Sequence, residues 1–438
     1  MRLSFKGGIH PLRERHEGKN ASKGQPIRAY IPQSVCIPMD MHIGAPSAPV
    51  VAKGDRVKMG QVIATAVGGI GIPVHASVSG EVVAVSQKQL LGKNPSTCVE
   101  IRNDLQDEWT ELTPLGEAET APAERIIQAV RDAGICGMGG ACFPTHAKMS
   151  LPEGKSVDTV ILNGAECETF LTSDHRLMLE EPGRVVDGLR LIMRAMKVSR
   201  GFIAVEENKM DAVKAMQEAA RGREGVSVVV LKTKYPQGGE KQLIEAVTGR
   251  QVPSGGLPMD AHVNVFNVGT AAAVADAVIL GRPLVSRVTT VTGCVKEPAN
   301  LLLRIGTPVQ EAIDAAGGCS EEPGKVFLGG SMTGIAMPDT SMPMTKANNG
   351  IVVMGQKEAV VAPPTPCIRC ARCLAACPIR LNPQRLKELC DQQDYAKAKK
   401  EHVMDCIVCG ACSYVCPAKL ELSPAFKEAK DKITARRI

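Results

Sequence analysis

The chain has 438 residues, 44% hydrophobic and 22% charged, enough for about three or four domains with buried cores, which excludes wholesale disorder. Aromatic residues make up only 3%, with one Trp and four Tyr, leaving few platforms for stacking bases and arguing against nucleic-acid binding. A net charge of +6, from 52 basic and 46 acidic residues, is a mild bias that is compatible with a membrane surface or an acidic partner and names neither.

No run of about 18 apolar residues occurs, so no transmembrane segment of its own is expected, and the first residues lack the apolar core of a secretory signal. These features place the chain in the cytoplasm. There, sixteen cysteines point to metal or redox chemistry rather than to disulfides.

In chain order, residues 1–115 are rich in Gly, Pro and short β-branched runs and read as a small all-β unit. Residues 51–63 and 73–85 resemble the two halves of a biotinyl- or lipoyl-type barrel-sandwich hybrid. Carrier domains of that kind place a lysine between the halves, whereas residues 64–72 contain none, so swinging-arm chemistry is not expected. His10, in the opening Phe5-Lys-Gly-Gly-Ile-His10-Pro11, reads as structural or partner-contacting.

Residues 121–131 carry Ile126, Ile127 and Val130 at helical spacing, and a Gly-rich loop, residues 134–148, follows at once. Strands are expected at 157–163, 201–206 and 226–232, and helices at 182–196, 209–221 and 240–247. Alternation of this kind predicts a parallel sheet covered on both faces, with ligands beyond the carboxyl ends of the strands, near 163–168, 206–208 and 233–239. The Gly-rich loop lets backbone N–H groups approach a phosphate, with Lys148 as a point charge beside it. It is not a Walker A loop, and it follows a helix where a dinucleotide fingerprint would follow a strand. Residues 163–176 crowd polar groups at a strand end, and Gly238, Gly239, Gly255 and Gly256 flank Glu240; either stretch could be loop alone.

Residues 288–293 read as a strand, 307–316 as a helix, 319–362 as an irregular connection and 359–366 as a linker. Two matching runs follow, Cys367, Cys370, Cys373, Cys377-Pro378 and Cys406, Cys409, Cys412, Cys416-Pro417. This is the bacterial ferredoxin spacing, in which the fourth Cys of each run ligates the other cluster. Cys367, Cys370, Cys373 and Cys416 are therefore assigned to one 4Fe-4S cluster, and Cys406, Cys409, Cys412 and Cys377 to the second. Structural zinc sites use paired C-x2-C knuckles and need no third Cys or trailing Pro. Cys390, in a helix-like stretch between the runs, reads as a packing residue.

Residues 134–148 resemble the flavin loop in the NADH-binding subunit of respiratory complex I. Residues 163–168, 238–240 and 265–270 resemble its further flavin- and nucleotide-contacting segments. The nearer resemblance, over almost the whole chain, is to the C subunits of the Rnf or Rsx complex, a membrane-bound, ion-translocating ferredoxin:NAD oxidoreductase. It rests on the opening motif, the hybrid halves, residues 172–176 and 235–244 and both cysteine runs. That resemblance implies noncovalent FMN, NAD(H) as substrate and two 4Fe-4S clusters. It gives Gly137, Gly139, Gly140 and Lys148 to the FMN phosphate and ribityl chain, Asn163 and Glu166 to the flavin, Asn267 and Thr270 to the phosphate side, and Glu168 and Glu240 to the nicotinamide nucleotide. Residues 285–318 resemble the β-grasp module of the same families. Met138, Cys142, Ala165 and Gly239 depart from the complex I pattern, which there has Arg, Gly, Asp and Glu.

The expected architecture is a multidomain α/β protein. It comprises an N-terminal barrel-sandwich hybrid (1–115), a Rossmann-like FMN/NADH domain (116–284), a β-grasp (SLBB-like) module with its connection (285–362) and a double-cluster ferredoxin domain (363–438). A hydride carries two electrons and a cluster accepts one, so a flavin must stand between them. Direct hydride transfer needs orientation rather than proton abstraction, so no catalytic acid or base is assigned, and His10, His146 and His175 are read as structural. The expected partners are other Rnf subunits, both membrane subunits and a ferredoxin-type iron-sulfur subunit, with the chain peripheral on the cytoplasmic side of the inner or plasma membrane. Three alternatives stand beside this reading, of which nucleic-acid repair with a structural cluster is disfavoured by the few aromatics and the weak charge. Another is a flavin and iron-sulfur cobalamin reductase, which would not be expected to carry the N-terminal hybrid. The third is a noncatalytic electron-relay or docking subunit, motivated by Met138, Cys142 and Ala165.

Overall fold

The structure is a computed structural model and describes residues 2–91 and 94–436. Its centre is a sheet of four parallel strands, β1 (Thr159–Gly164), β2 (Gly201–Glu206), β3 (Val226–Leu231) and β4 (Val263–Asn267), in the order β3-β2-β1-β4. Val160, Ile161 and Leu162 of β1 are all buried, as a strand covered on both faces requires. The helices are α1 (Ala123–Asp132), α2 (Ser173–Glu180), α3 (Pro182–Met196), α4 (Met210–Ala219), α5 (Glu240–Thr248) and α6 (Val268–Ile279). Pro182 opens α3, where its missing N–H is no loss, and Lys197 ends it in the left-handed conformation. The strand order reverses between β1 and β4, and a crevice opens at that switch point beyond the strand ends. Asn163 and Asn267 are register partners there.

Helices α3 and α6 pack closely because Gly188 lets them meet backbone to backbone. A Cβ at Gly188 would stand 1.9 Å from the Ala271 carbonyl oxygen. Gly188→Ala is therefore expected to destabilise the chain by about 3 kcal/mol, because backbone on both sides must move. A lowered urea midpoint checks this; an unchanged midpoint would mean that the two helices slide apart without loss.

Residues 34–103 form the N-terminal β unit. One of its sheets orders Ser34–Pro38, Ser96–Asn103, Gly80–Lys88 and Arg56–Val57, and the other Ala48–Pro49, Val62–Thr65 and Val74–His75. Ile37, Val57, Ile63, Val82 and Val99 fill the space between them. The residues before this unit lie elsewhere. Leu3 bridges Leu231, Ile9 bridges Tyr235, and the Gly8 N–H donates to the Ala376 carbonyl at 3.0 Å. Ile27–Ala29 pairs in parallel with Ala299–Arg304.

That pair belongs to a six-stranded sheet which continues through Ser286–Gly293, Gly350–Gly355, Pro323–Leu328 and Ile335–Ala336, with helix Val309–Ala315 against it. Residues 319–362 were expected to be irregular, but they supply three of these strands. Gly350–Gly355 lies between Ser286–Gly293 and Pro323–Leu328, and Ile351, Val352 and Val353 are buried. The helix-like stretch around Cys390 is two helices, Pro383–Asp391 and Tyr395–Lys400, capped by Asn382 and Asp394. Cys390 packs beside Leu386, Leu389 and Phe426 in that domain's core. Among the described residues no helix is long and apolar enough to cross a membrane.

Candidate functional site

The Gly-rich loop leaves α1, folds over the carboxyl end of β4 and returns through the short helix Thr145–Met149. The Met138 N–H donates to Thr270 Oγ1 at 2.9 Å, which fixes the loop to the first turn of α6. Asn267 caps α6 by accepting from the Gly269 N–H at 2.8 Å. A Cβ at Gly139 would come 3.0 Å from Asn267 Cβ, whereas Gly140 at the exposed tip has no neighbour within 4 Å. Glycines, the N-terminal turn of α6 and a lysine thus surround one crevice, which suits a phosphate-bearing ligand.

Asn163, at the end of β1, donates from Nδ2 to the Gly238 carbonyl at 2.8 Å. Lys148 Nζ reaches Glu240 at 2.6 Å and stands 5.5 Å from the centre of the Phe266 ring. These contacts gather Gly137, Gly139, Gly140, Lys148, Asn163, Glu240, Asn267 and Thr270 around the switch point. A flavin phosphate fits this donor set once Lys148 leaves Glu240.

The carboxylates of Glu166 and Glu168, expected at the flavin and the nucleotide, both accept hydrogen bonds from within the protein. Glu166 accepts from the Asp174 N–H at 2.7 Å and the His175 N–H at 3.3 Å, capping α2. Glu168 accepts from the Met332 N–H at 3.1 Å and from the Thr333 hydroxyl, so it ties the loop to the six-stranded sheet. Burial raises the Glu168 carboxyl above its ordinary value. Two buried lysines hold the same loop. Lys19 Nζ donates to the carbonyls of Glu166, Glu168 and Leu171 at 2.9, 2.7 and 2.5 Å. Lys209 Nζ donates to the Ala165 carbonyl at 2.7 Å and pairs with Glu206 at 3.3 Å. Nothing local in the sequence marks these lysines, because their partners are distant carbonyls.

Residues 172–176, where a solvated loop was one of the two sequence readings, open the buried helix α2. Asn267 Nδ2 donates to Asp174 at 2.7 Å, and burial together with Glu166 lifts the Asp174 carboxyl to about 7. His175 Nε2 stands 2.9 Å from Asp211, with burial lowering its pKa. His146 is buried and His10 is exposed. Met138 stands where the resembling loop has arginine, and a guanidinium is present in space all the same. Buried Arg287, from the six-stranded sheet, donates to the Met138 carbonyl at 3.1 Å.

The two cysteine runs fold alike. Arg369 and Ala371 in the first run, and Val408 and Gly410 in the second, all have positive φ. This geometry turns backbone N–H groups inward: Arg369 donates to Cys367 Sγ and Val408 to Cys406 Sγ, both at 3.4 Å. Leu381 donates to Cys377 Sγ at 3.3 Å. Cys367, Cys370, Cys373 and Cys416 line one cavity of about 350 Å³, and Cys377, Cys406, Cys409 and Cys412 line another. Burial raises the Cys373 thiol, with Cys370 and Cys416 adding to it; burial, then Cys406, Cys409 and Cys377, lift Cys412 to about 12. Among the described residues no three His, Cys, Asp or Glu side chains converge as they would on a single ion. The thiols stand around hollows instead, which suits a cubane whose four thiolates bind four different irons. Tyr235 Oη donates to the Cys409 carbonyl at 2.7 Å, so the second hollow adjoins the segment leaving β3, while Cys367 and Cys370 are exposed at the first. Tyr235 was not among the expected site residues; its place beside the Gly238-Gly239 pair is the only sequence signal it gives.

Four family descriptions match the chain. Residues 3–106 match the RnfC barrel sandwich hybrid domain, 130–276 the Nuo51 FMN-binding domain, 288–336 the SLBB domain and 359–417 a 4Fe-4S dicluster domain. The chain is 45% identical over 436 residues to the C subunit of the Na(+)-translocating ferredoxin:NAD(+) oxidoreductase complex of Acetobacterium woodii, covering 99% of this chain and 98% of that protein. It is 45% identical to the C subunit of the proton-translocating ferredoxin:NAD(+) oxidoreductase complex of Clostridium ljungdahlii, covering 92% of this chain and 88% of that protein. It is 40% identical to the C subunit of the ion-translocating oxidoreductase complex of Rhodobacter capsulatus, covering 99% and 84%. Among solved structures, an NAD+-reducing NiFe-hydrogenase chain in the H2-reduced state aligns with a TM-score of 0.52 at 18% identity, over 74% of this chain and 63% of that chain, a likeness of fold.

Proposed function

The chain belongs to the family of C subunits of ion-translocating ferredoxin:NAD(+) oxidoreductase complexes, and from that premise we propose how its residues carry electrons between NAD(H) and the rest of such a complex. It is an oxidoreductase subunit of the FMN and double 4Fe-4S type. When bound, FMN exchanges a hydride with the nicotinamide and single electrons with the clusters.

Gly139 and Gly140 would present backbone N–H groups to the flavin phosphate beside Gly137, whose own N–H is held by the Phe143 carbonyl, and the first turn of α6 with Asn267 and Thr270 would supply the other wall. Lys148, paired here with Glu240, would hold the phosphate, and Glu240 would then meet the nicotinamide nucleotide. Asn163, fixed by the Gly238 carbonyl, would contact the flavin. Glu166 and Glu168 act indirectly, by holding the loop between β1 and α2. Cys377, Cys406, Cys409 and Cys412 hold the cluster nearer the flavin, and Cys367, Cys370, Cys373 and Cys416 the one nearer the surface. The observation that carries this order is the Tyr235 hydroxyl on the Cys409 carbonyl, which joins the sheet edge to the second cysteine set. We place the protein on the cytoplasmic side of the membrane, docked to membrane subunits and to a ferredoxin-type iron-sulfur subunit. The N-terminal match over residues 3–106 favours this reading over a cobalamin reductase.

The test is anaerobic: the purified chain is reconstituted with iron, sulfide and FMN and then given NADH. Flavin bleaching and low-temperature EPR signals from reduced clusters are expected. If both clusters fill and NADH leaves the spectrum unchanged, the chain is an electron relay without a working flavin site.

A further inference from the structure

Two thiols inside the Gly-rich loop take no part in this route. Cys136 and Cys142 bracket the glycines at 137, 139 and 140, are 0% and 5% exposed, and share one small core with Ile72. The loop doubles back between them: Cys136 bridges Pro144, and the Gly137 N–H donates to the Phe143 carbonyl at 2.9 Å. The two sulfurs are close enough to perturb each other, which lowers the pKa of Cys136 and raises that of Cys142. Two buried cations stand by. Lys346 Nζ donates to the Gly134 carbonyl at 2.7 Å, and Arg287 has an Nε without a partner among the described residues. A thiolate next to such cations is the nucleophilic form of cysteine.

We propose that Cys136 and Cys142 form a reversible disulfide that staples the Gly-rich loop, with hydrogen peroxide as the oxidant. The Cys136 thiolate attacks the O–O bond, which breaks to give Cys136 S–OH and hydroxide. The Cys142 sulfur then displaces that hydroxyl as water. Two thiols lose two electrons and two protons, and one peroxide becomes two waters. The oxidant must be small, because neither sulfur lies open to a protein partner, while Gly139, Gly140 and Ala141 at the loop tip are exposed. The closed ring fixes the N–H groups between the two sulfurs, so bound flavin leaves more slowly. That consequence rests on the flavin reading above, whereas the disulfide itself does not.

The experiment uses the full, cluster-loaded, FMN-bound chain, titrated anaerobically with hydrogen peroxide, blocked with N-ethylmaleimide and digested with trypsin without reductant. Cleavage after Arg131 and Lys148 leaves both sulfurs on one peptide. The expected result is that, before any iron is lost, the doubly alkylated peptide gives way to an unalkylated one lacking two hydrogens. Dithiothreitol restores the dithiol, and flavin release from the oxidised protein is severalfold slower. In Cys142→Ser, dimedone should label Cys136 instead. The proposal is overturned if the peptide stays doubly alkylated until iron is lost, or if Cys136 passes to the sulfinate with Cys142 still alkylated. A disulfide that leaves flavin release unchanged supports the bond and removes the loop from the flavin site.

Discussion

Cys377→Ser is expected to behave like Cys409→Ser and unlike Cys370→Ser, although Cys377 and Cys370 belong to the same run. Cys377 lines the hollow of Cys406, Cys409 and Cys412, and Cys416 that of Cys367, Cys370 and Cys373. Removing one thiolate from a four-cysteine set leaves an iron without its protein ligand, so each variant should lose about half the iron of the reconstituted protein. The informative difference lies in where electrons stop. In Cys377→Ser and Cys409→Ser the remaining cluster should be reducible by dithionite but not by NADH, because the first step from the flavin has been removed. In Cys370→Ser the remaining cluster should still be reduced by NADH. Iron analysis and EPR with each reductant read both results. If Cys377→Ser retains a cluster that NADH reduces while Cys370→Ser does not, the proposed ligand sets and the electron order are both wrong.

Lys19→Met should destabilise the protein by about 3–5 kcal/mol. Lys19 is 6% exposed and holds three carbonyls, those of Glu166, Glu168 and Leu171. Burial lowers its pKa, and the nearby Glu166 carboxylate partly offsets that. Methionine fills much of the same space and makes none of the bonds. Each carbonyl left unpaired in the interior costs about 1–3 kcal/mol, less the desolvation that Lys19 no longer suffers. The comparison is Lys23→Met, whose lysine is exposed. A much lower anaerobic urea midpoint for Lys19→Met, with flavin lost at lower urea than in the parent, is the expected outcome. Equal midpoints for the two variants would mean that the loop finds other donors.

The alternating strands and helices of the central domain could be read from the sequence because each strand is a short apolar run and each helix has a clear face. Helix α3 and strand β2 occupy the predicted residues without change. Helix α2 was not legible. Its first turn, Ser173-Asp174-His175, is polar and yet buried, since Glu166, Asn267 and Asp211 satisfy it. The strands of 319–362 were hidden by the Gly, Met and Pro around them, although Ile351-Val352-Val353 is an apolar run between glycines and could have been recognised as a strand. The cysteine spacing encodes local wrapping, and the two proposed ligand sets each line one hollow. The bonds that Glu166 and Glu168 make within the protein were not legible, because a carboxylate at a strand end looks the same in sequence whether it faces a ligand or caps the next helix. Arg287 had no local signal at all, since it reaches the loop from another sheet.

The segment from Leu3 to Ile9 has a bearing on how the chain is made. Its partners are Leu231, Tyr235 and Ala376, and a Cβ at Gly7 would stand 2.7 Å from the Cys377 carbonyl oxygen. A ribosome adding about 5–20 residues per second needs roughly 20 to 70 s to go from residue 8 to residue 376. Leu3 and Ile9 can meet Leu231 and Tyr235 once the central domain has been made, but Gly7 and Gly8 wait for Ala376 and Cys377. The segment is fully seated only after the first cysteine run has emerged, so its docking and the maturation of that run go together. An amino-terminal fusion that hinders this late threading should impair cluster loading more than one of equal size attached at the loop around Gly68, where added atoms meet no neighbour.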